Sequence, residues 1–216
     1  MAGSSLWLTP PPTHPLHAVI TKLIETTLPA HFPDESPRPP TFAPHLTLTS
    51  GIDPGVYGDQ PQKWLDSIPF PTASNVAIRF ERVKTQDFYY RRCYLKCEFD
   101  GAKDVAAIAR ARGVEGEDEV GPKTQAWLSE WKEAFGPHVS LMSQALYCST
   151  LINNAGSGDV AIDEAKLEEV EDAVEESGVK LGETSHEMGG WQGGTVWLVP
   201  TERGIENWKP IATRTL

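Results

Sequence analysis

The sequence predicts an α+β protein in which two pseudo-symmetric lobes of mainly antiparallel sheet, covered by helices, flank a candidate active-site cleft, the whole forming a single two-lobed domain over 1–216. Three observations predict this. One seven-residue phrase occurs twice, as Pro44-His45-Leu46-Thr47-Leu48-Thr49-Ser50 and as Pro137-His138-Val139-Ser140-Leu141-Met142-Ser143. Each copy follows the same order of strand, then helix, then motif, which is the mark of an internal duplication. Between the copies, two apolar-alternating segments meet at Gln86-Asp87 as a hairpin would.

Taken in order, residues 4–9 form a short apolar strand, closed by Pro10-Pro11-Pro12, which cannot donate to a ladder. Thr13 is placed to cap a helix whose apolar positions are Leu16, Val19, Ile20, Leu23, Ile24 and Leu28. A proline-rich loop over 29–40 then delivers the first motif strand. A short helical segment is expected at 63–68 and a strand at 75–84, paired with another at 89–99. Helices at 102–112 and 124–135 enclose a glycine-rich acidic stretch, and the second motif strand follows. A Gly/Asn/Ser loop at 153–159 leads to an acidic helix at 163–176, whose charge run reads as a solvated face. The run Gly189-Gly190-Trp191-Gln192-Gly193-Gly194 suits a tight loop, but it lacks the Lys-Ser/Thr and helix start of a phosphate-binding P-loop. Strands at 195–201 and 208–212 close the chain.

In a strand, side chains alternate faces. His45, Thr47 and Thr49 are therefore expected on one face and Leu46 and Leu48 on the other, while His138 and Ser140 oppose Val139 and Leu141. At ordinary composition a His is followed by apolar, hydroxyl, apolar about one time in fifty. Two such contexts among six His are not what scattered core histidines produce, and matched positions in two lobes point to a shared site.

The net charge of −11 argues against a protein that grips long nucleic acid, which normally carries a basic face to neutralise phosphates. A small phosphate-bearing ligand fits better. Cys93, Cys97 and Cys148 are odd in number, lack zinc spacing and read as reduced thiols. No basic-then-apolar leader and no apolar run of membrane-spanning length is seen. The expectation is a soluble intracellular monomer, cytoplasmic, with peripheral endomembrane association left open.

The two H-x-[ST]-x phrases resemble the signature of the 2H phosphoesterase superfamily, and the flanking text is similar to its cyclic phosphodiesterase branch. The flanks are Leu6-Trp7-Leu8-Thr9-Pro10-Pro11, Phe42-Ala43-Pro44-His45, Arg82-Val83 with Phe88-Tyr89-Tyr90, and the closing strands. The resemblance implies metal-independent hydrolysis of nucleoside 2′,3′-cyclic phosphates to 2′-phosphates, and of ADP-ribose 1″,2″-cyclic phosphate, in tRNA-splicing metabolism. It implies His45 and His138 as catalytic residues and Thr47 and Ser140 as phosphate-binding residues, with no cofactor and no metal. The chemistry suits these residue types: imidazoles titrate near neutrality, so one can be neutral base while the other is imidazolium acid. Hydroxyls two residues on can donate to the non-bridging oxygens. Which His is the base is not written in the sequence; His138 as base and His45 as acid is the preferred reading. Several relatives carry an aromatic three residues after the second motif's hydroxyl, where this chain has Ser143. Trp7, Tyr89 and Tyr90 are the alternative substrate-stacking candidates. Rival readings are a 2H-type RNA 3′-end exonuclease or ligase, a non-catalytic nucleotide-binding module of the same fold, and a two-His metal site.

Overall fold

The computed structural model describes residues 3–33, 38–87, 91–143, 161–183 and 185–216. Its strands are β1 (Ser4–Thr9), β2 (Leu46–Ile52), β3 (Ala77–Lys84), β4 (Cys93–Cys97), β5 (His138–Met142), β6 (Gly190–Gln192), β7 (Thr195–Pro200) and β8 (Ala212–Thr215). They form one antiparallel sheet in the order β6-β3-β4-β5-β2-β1-β7-β8. That order is symmetric about its centre. The motif strands β5 and β2 are neighbours, each flanked by the strand that precedes its own helix, β4 and β1.

The larger helices are α1 (Pro15–Lys22), α2 (Pro61–Ser67), α3 (Lys103–Arg110), α4 (Pro122–Ala134) and α5 (Glu164–Glu176). α1 and α3 each run on into a five-residue π-helical turn, Leu23–Thr27 and Ala111–Glu115, so the duplication extends to the helix endings. The turn after α1 packs on β5, and α3 packs on β2, so each half's helix supports the other half's motif strand. The buried faces join in one core containing Leu6, Leu8, Leu46, Leu48, Leu95, Val139 and Leu141, none more than 1% exposed. No helix of the described residues is long and apolar enough to cross a membrane.

Several expectations are corrected. His14, not Thr13, caps α1: its Nδ1 accepts from Leu16 N–H at 3.2 Å, which frees Pro15 to take the first helical position. α4 begins at Pro122, a proline again taking the first turn, here after Gly121 with no side-chain cap. The closing strand starts at Ala212, where it was expected to end. Trp208 is held instead in the preceding loop, its indole N–H donating to the Arg203 carbonyl at 2.9 Å. Strand β4 stops at Cys97, because Phe99 opens the turn into α3. Thr49 does not share the face of Thr47. The register skips Leu48 between Leu6↔Thr49 and Trp7↔Thr47, and a bulge of this kind turns the strand over. Thr49 is 2% exposed. The expected 153–159 loop and the N-terminal part of the expected 89–99 strand lie outside the described residues.

The glycine run serves close packing rather than a phosphate cradle. Gly190 has φ +153°, and a Cβ there would collide with the Ile78 carbonyl on the neighbouring strand. Gly190→Ala is therefore expected to cost about 3 kcal/mol, as severe backbone clashes do. Urea unfolding at constant m-value checks it; an unchanged midpoint would show that β6 yields freely.

Candidate active site

The two motif strands meet at one ladder pair, Leu46↔Val139. One residue to either side, antiparallel register sets His45 opposite Ser140 and His138 opposite Thr47. Residues facing each other across a ladder share a face. The four side chains therefore occupy the corners of a quadrilateral, with the imidazoles on one diagonal and the hydroxyls on the other.

Both imidazoles are oriented in the same way. His45 Nδ1 lies 2.7 Å from the Ala43 carbonyl, and His138 Nδ1 lies 3.1 Å from the Gly136 carbonyl. A carbonyl oxygen only accepts, so Nδ1 carries the hydrogen and the neutral ring keeps its free lone pair on Nε2. The intervening proline explains the geometry. Pro44 and Pro137 fix φ and hold the preceding residue away from the helical region, which turns that residue's carbonyl back toward the ring two positions on. At the second motif, Gly136 (φ +57°) also ends α4, its N–H bonding the Trp131 carbonyl at 2.6 Å.

Aromatic rings hold the imidazoles from behind. Trp7 stacks on His45 with ring centroids 3.6 Å apart and planes 11° from parallel, while Phe42 meets the same imidazole edge-on at 5.9 Å. On the other side, Tyr94 and Phe135 meet His138 edge-on at 5.1 Å and 5.4 Å. The equivalence is exact in register. Trp7 pairs with Thr47 and Tyr94 with Ser140, while each Phe lies three residues before its His. The Arg91 guanidinium caps Phe135 at 4.1 Å.

Burial depresses both imidazoles. His45 is 6% exposed, and desolvation lowers its pKa to about 4, with the charge of nearby His138 lowering it further against the raising effect of the Ala43 bond. His138 is half-buried and is likewise lowered to about 4, first by desolvation, with the Gly136 bond opposing and the charges of Arg91 and Lys96 adding to the depression. Both rings are thus neutral in the free protein at pH 7. The asymmetry lies in the neighbours, since cations flank His138.

Of the residues expected from sequence, His45, Thr47, His138 and Ser140 converge, and Thr47 and Ser140 keep partial exposure. Trp7, expected as a platform for a substrate base, is 2% exposed and instead backs the His45 ring. Ser143 is 4% exposed just beyond β5. Tyr89 and Tyr90 lie outside the described residues. Sequence reading missed Tyr94, Phe135 and Lys96. Phe135 carries a readable signal, because Phe occupies the place three before His in both copies. Tyr94 and Lys96 reach the site only through strand pairing. Half-buried Trp197 and Trp208 also border it, Trp197 as the ladder partner of Trp7 and Trp208 edge-on to Trp7 at 5.6 Å.

Among the described residues no three His, Cys, Asp or Glu side chains converge as metal ligands. Cys93 and Cys97 are buried thiols pushed upward by desolvation, Cys93 to about 12, which makes them poor nucleophiles.

Comparison with known proteins agrees with this architecture. A sequence model of the family described as cyclic phosphodiesterase-like protein matches residues 1–216. A Neurospora crassa protein named 2′,3′-cyclic-nucleotide 3′-phosphodiesterase is 53% identical over 226 residues, covering all of both chains. Proteins of the same name from Phaeosphaeria nodorum and Yarrowia lipolytica are 37% and 23% identical, the first over the whole of both chains and the second over 98% of this chain and 99% of its own. With the whole chain matched and its twin His-hydroxyl motifs brought together on adjacent strands, the protein belongs to the cyclic phosphodiesterase-like family.

Proposed function

We propose that the protein is a 2′,3′-cyclic-nucleotide 3′-phosphodiesterase that opens nucleoside 2′,3′-cyclic phosphates to 2′-phosphates, and ADP-ribose 1″,2″-cyclic phosphate to ADP-ribose 1″-phosphate, without a metal. It is taken to act as a monomeric single domain in the cytoplasm. One observation supports the reading: two imidazoles, each tied through Nδ1 to a backbone carbonyl, stand on adjacent strands diagonal to two hydroxyls. The names of the full-length relatives support the 3′ regiochemistry.

In this mechanism Thr47 and Ser140 donate to the non-bridging oxygens as charge builds on them. His138 Nε2 takes a proton from water as its oxygen attacks phosphorus. The P–O3′ bond breaks, and the leaving oxygen takes a proton from the His45 imidazolium. The products are a 2′-phosphate monoester and a free 3′-hydroxyl, so atoms and charge balance. Arg91 and Lys96 beside His138 favour its neutral form, which suits it for the base. His45, on which only the His138 charge acts besides burial and the Ala43 bond, is the better place for the proton.

That proton must arrive with the substrate. Both rings are neutral above about pH 5 in the free protein, and an anionic phosphate between them raises the pKa of the ring that becomes the acid. Binding of an anionic product analogue is therefore expected to take up about one proton near neutrality and to weaken by up to tenfold per pH unit as pH rises. Calorimetry in buffers of different ionisation enthalpy reads the uptake; binding with no proton uptake would refute this assignment. For folding the sign is opposite to that of a salt-bridged His. The folded pKa lies below the unfolded value of 6.5, so this contribution is complete above pH 6.5 and is lost as pH falls toward 4.

The direct test incubates the protein with adenosine 2′,3′-cyclic phosphate in chelator and follows the product by phosphorus NMR. Formation of the 2′-phosphate alone is expected. The 3′-isomer, or no turnover, would overturn the reading.

A further inference from the structure

The pseudo-symmetry of the site breaks in one respect. Strand register carries the catalytic face outward from β5 through Ser140↔Tyr94↔Lys84 and His138↔Lys96↔Arg82. Outward from β2, the corresponding chains run Thr47↔Trp7↔Trp197 and, one step along β1, Thr9↔Thr195. Lys84, Lys96 and Arg82 therefore occupy in one half the places held in the other by Trp197, Thr9 and Thr195. One end of the cleft is cationic, and the other is aromatic and hydroxylic.

The cations have not been gathered to neutralise carboxylates. Arg82 and Lys84 are exposed, the apolar Val83 between them is buried, and among the described residues neither forms an ion pair. Lys96 is half-buried, donates to the Phe135 carbonyl at 2.9 Å and lies in the space left by the missing Cβ of Gly136, where an added Cβ would strike its Nζ. Glu81, one carboxylate, is the acid whose charge reaches Lys96, while Lys84 acts on it as a like charge. Three cations kept together on the catalytic face of a protein with net charge −11 favour an anion there.

We propose that Arg82, Lys84 and Lys96 form a second anion subsite that receives a phosphate esterified to the 5′ oxygen of the same ribose that carries the cyclic phosphate. This rests on the hydrolytic reading above and names which substrates it favours. The stereochemistry of a ribose fits the two unlike ends. Its base and its 5′ carbon leave the ring from opposite ends of the cyclic-phosphate edge, and the 5′ phosphorus is six bonds from the cyclic one. Strands lie about 4.8 Å apart, so Lys96 and Arg82 stand one and two spacings from His138, within reach of such a group for long side chains. The base is left to the half carrying Trp197.

The experiment compares adenosine 2′,3′-cyclic phosphate with its 5′-phosphorylated form, using the wild-type chain, the double variant Arg82→Ala/Lys84→Ala, and the charge-keeping Arg82→Lys/Lys84→Arg. The wild type is expected to show at least tenfold higher kcat/KM for the 5′-phosphorylated substrate, mostly through KM. The alanine pair brings that ratio to about one with turnover of the 5′-hydroxyl substrate unchanged, and the charge-keeping pair retains it. Equal wild-type turnover of the two substrates, or a preference that survives in the alanine pair, overturns the subsite and leaves the hydrolytic reading standing. Hydrolysis of neither substrate overturns both. A short RNA ending in a 2′,3′-cyclic phosphate turned over better than the 5′-phosphorylated mononucleotide overturns the small-ligand assignment.

Discussion

His45→Ala and His138→Ala are each expected to lower kcat on adenosine 2′,3′-cyclic phosphate by about 10²–10⁴, the range that general acid or base catalysis contributes. KM should move far less, because the proposed mechanism leaves Thr47 and Ser140 to hold the phosphoryl oxygens. The double variant is expected to fall little below the worse single one, since acid and base act in the same step. The two singles should differ in pH dependence. Removing the base abolishes the limb on which activity rises as a ring loses its proton, and removing the acid abolishes the limb on which activity falls. Single-turnover kinetics across pH 5–9 distinguishes them. Two variants with wild-type turnover would end the acid-base account altogether.

Trp7→Ala is the second large effect, and it combines stability with chemistry. The indole is 2% exposed, stacked on His45 at 3.6 Å and met edge-on by Trp208 at 5.6 Å. Its loss opens a cavity in the centre of a strand that pairs on both sides, a change that typically costs about 3–5 kcal/mol. It also frees the imidazole to rotate off the Ala43 carbonyl, and a misplaced catalytic group can cost about 100-fold. Trp7→Phe keeps a ring face against His45 and is expected to recover most of kcat with a smaller loss of stability. Denaturant unfolding and kcat measured on the same samples separate the two effects. Full activity in a folded Trp7→Ala protein would show that the stack positions nothing.

Much of this was legible in the chain because both lobes use the same short-range devices. The pattern Phe-x-Pro-His-x-hydroxyl lies within six residues, and it holds the proline, the carbonyl that bonds Nδ1 and the phenyl three before the ring, while Trp7 and Tyr94 complete the support from other strands. Such local geometry is encoded directly in residue order. The order strand, helix, motif was equally readable from periodicity. Thr49 was misread because a bulge is a property of a strand pair, here Leu6 and Trp7 against the first motif. The cap at His14 was misread because its imidazole does the work more usually given to a hydroxyl.

From the sequence alone came the pair of imidazoles, their matched hydroxyls and the duplication that demands a common cleft, all carried by neighbours along the chain. Tertiary structure alone decided that the motif strands are adjacent, that Trp7 backs a ring rather than a substrate, and that Lys96, Arg82 and Lys84 line one end of the site. The reason is that an antiparallel ladder chooses its partners by burying apolar faces over long separations. Which polar residues then stand side by side on the opposite face depends on a register that no single strand contains.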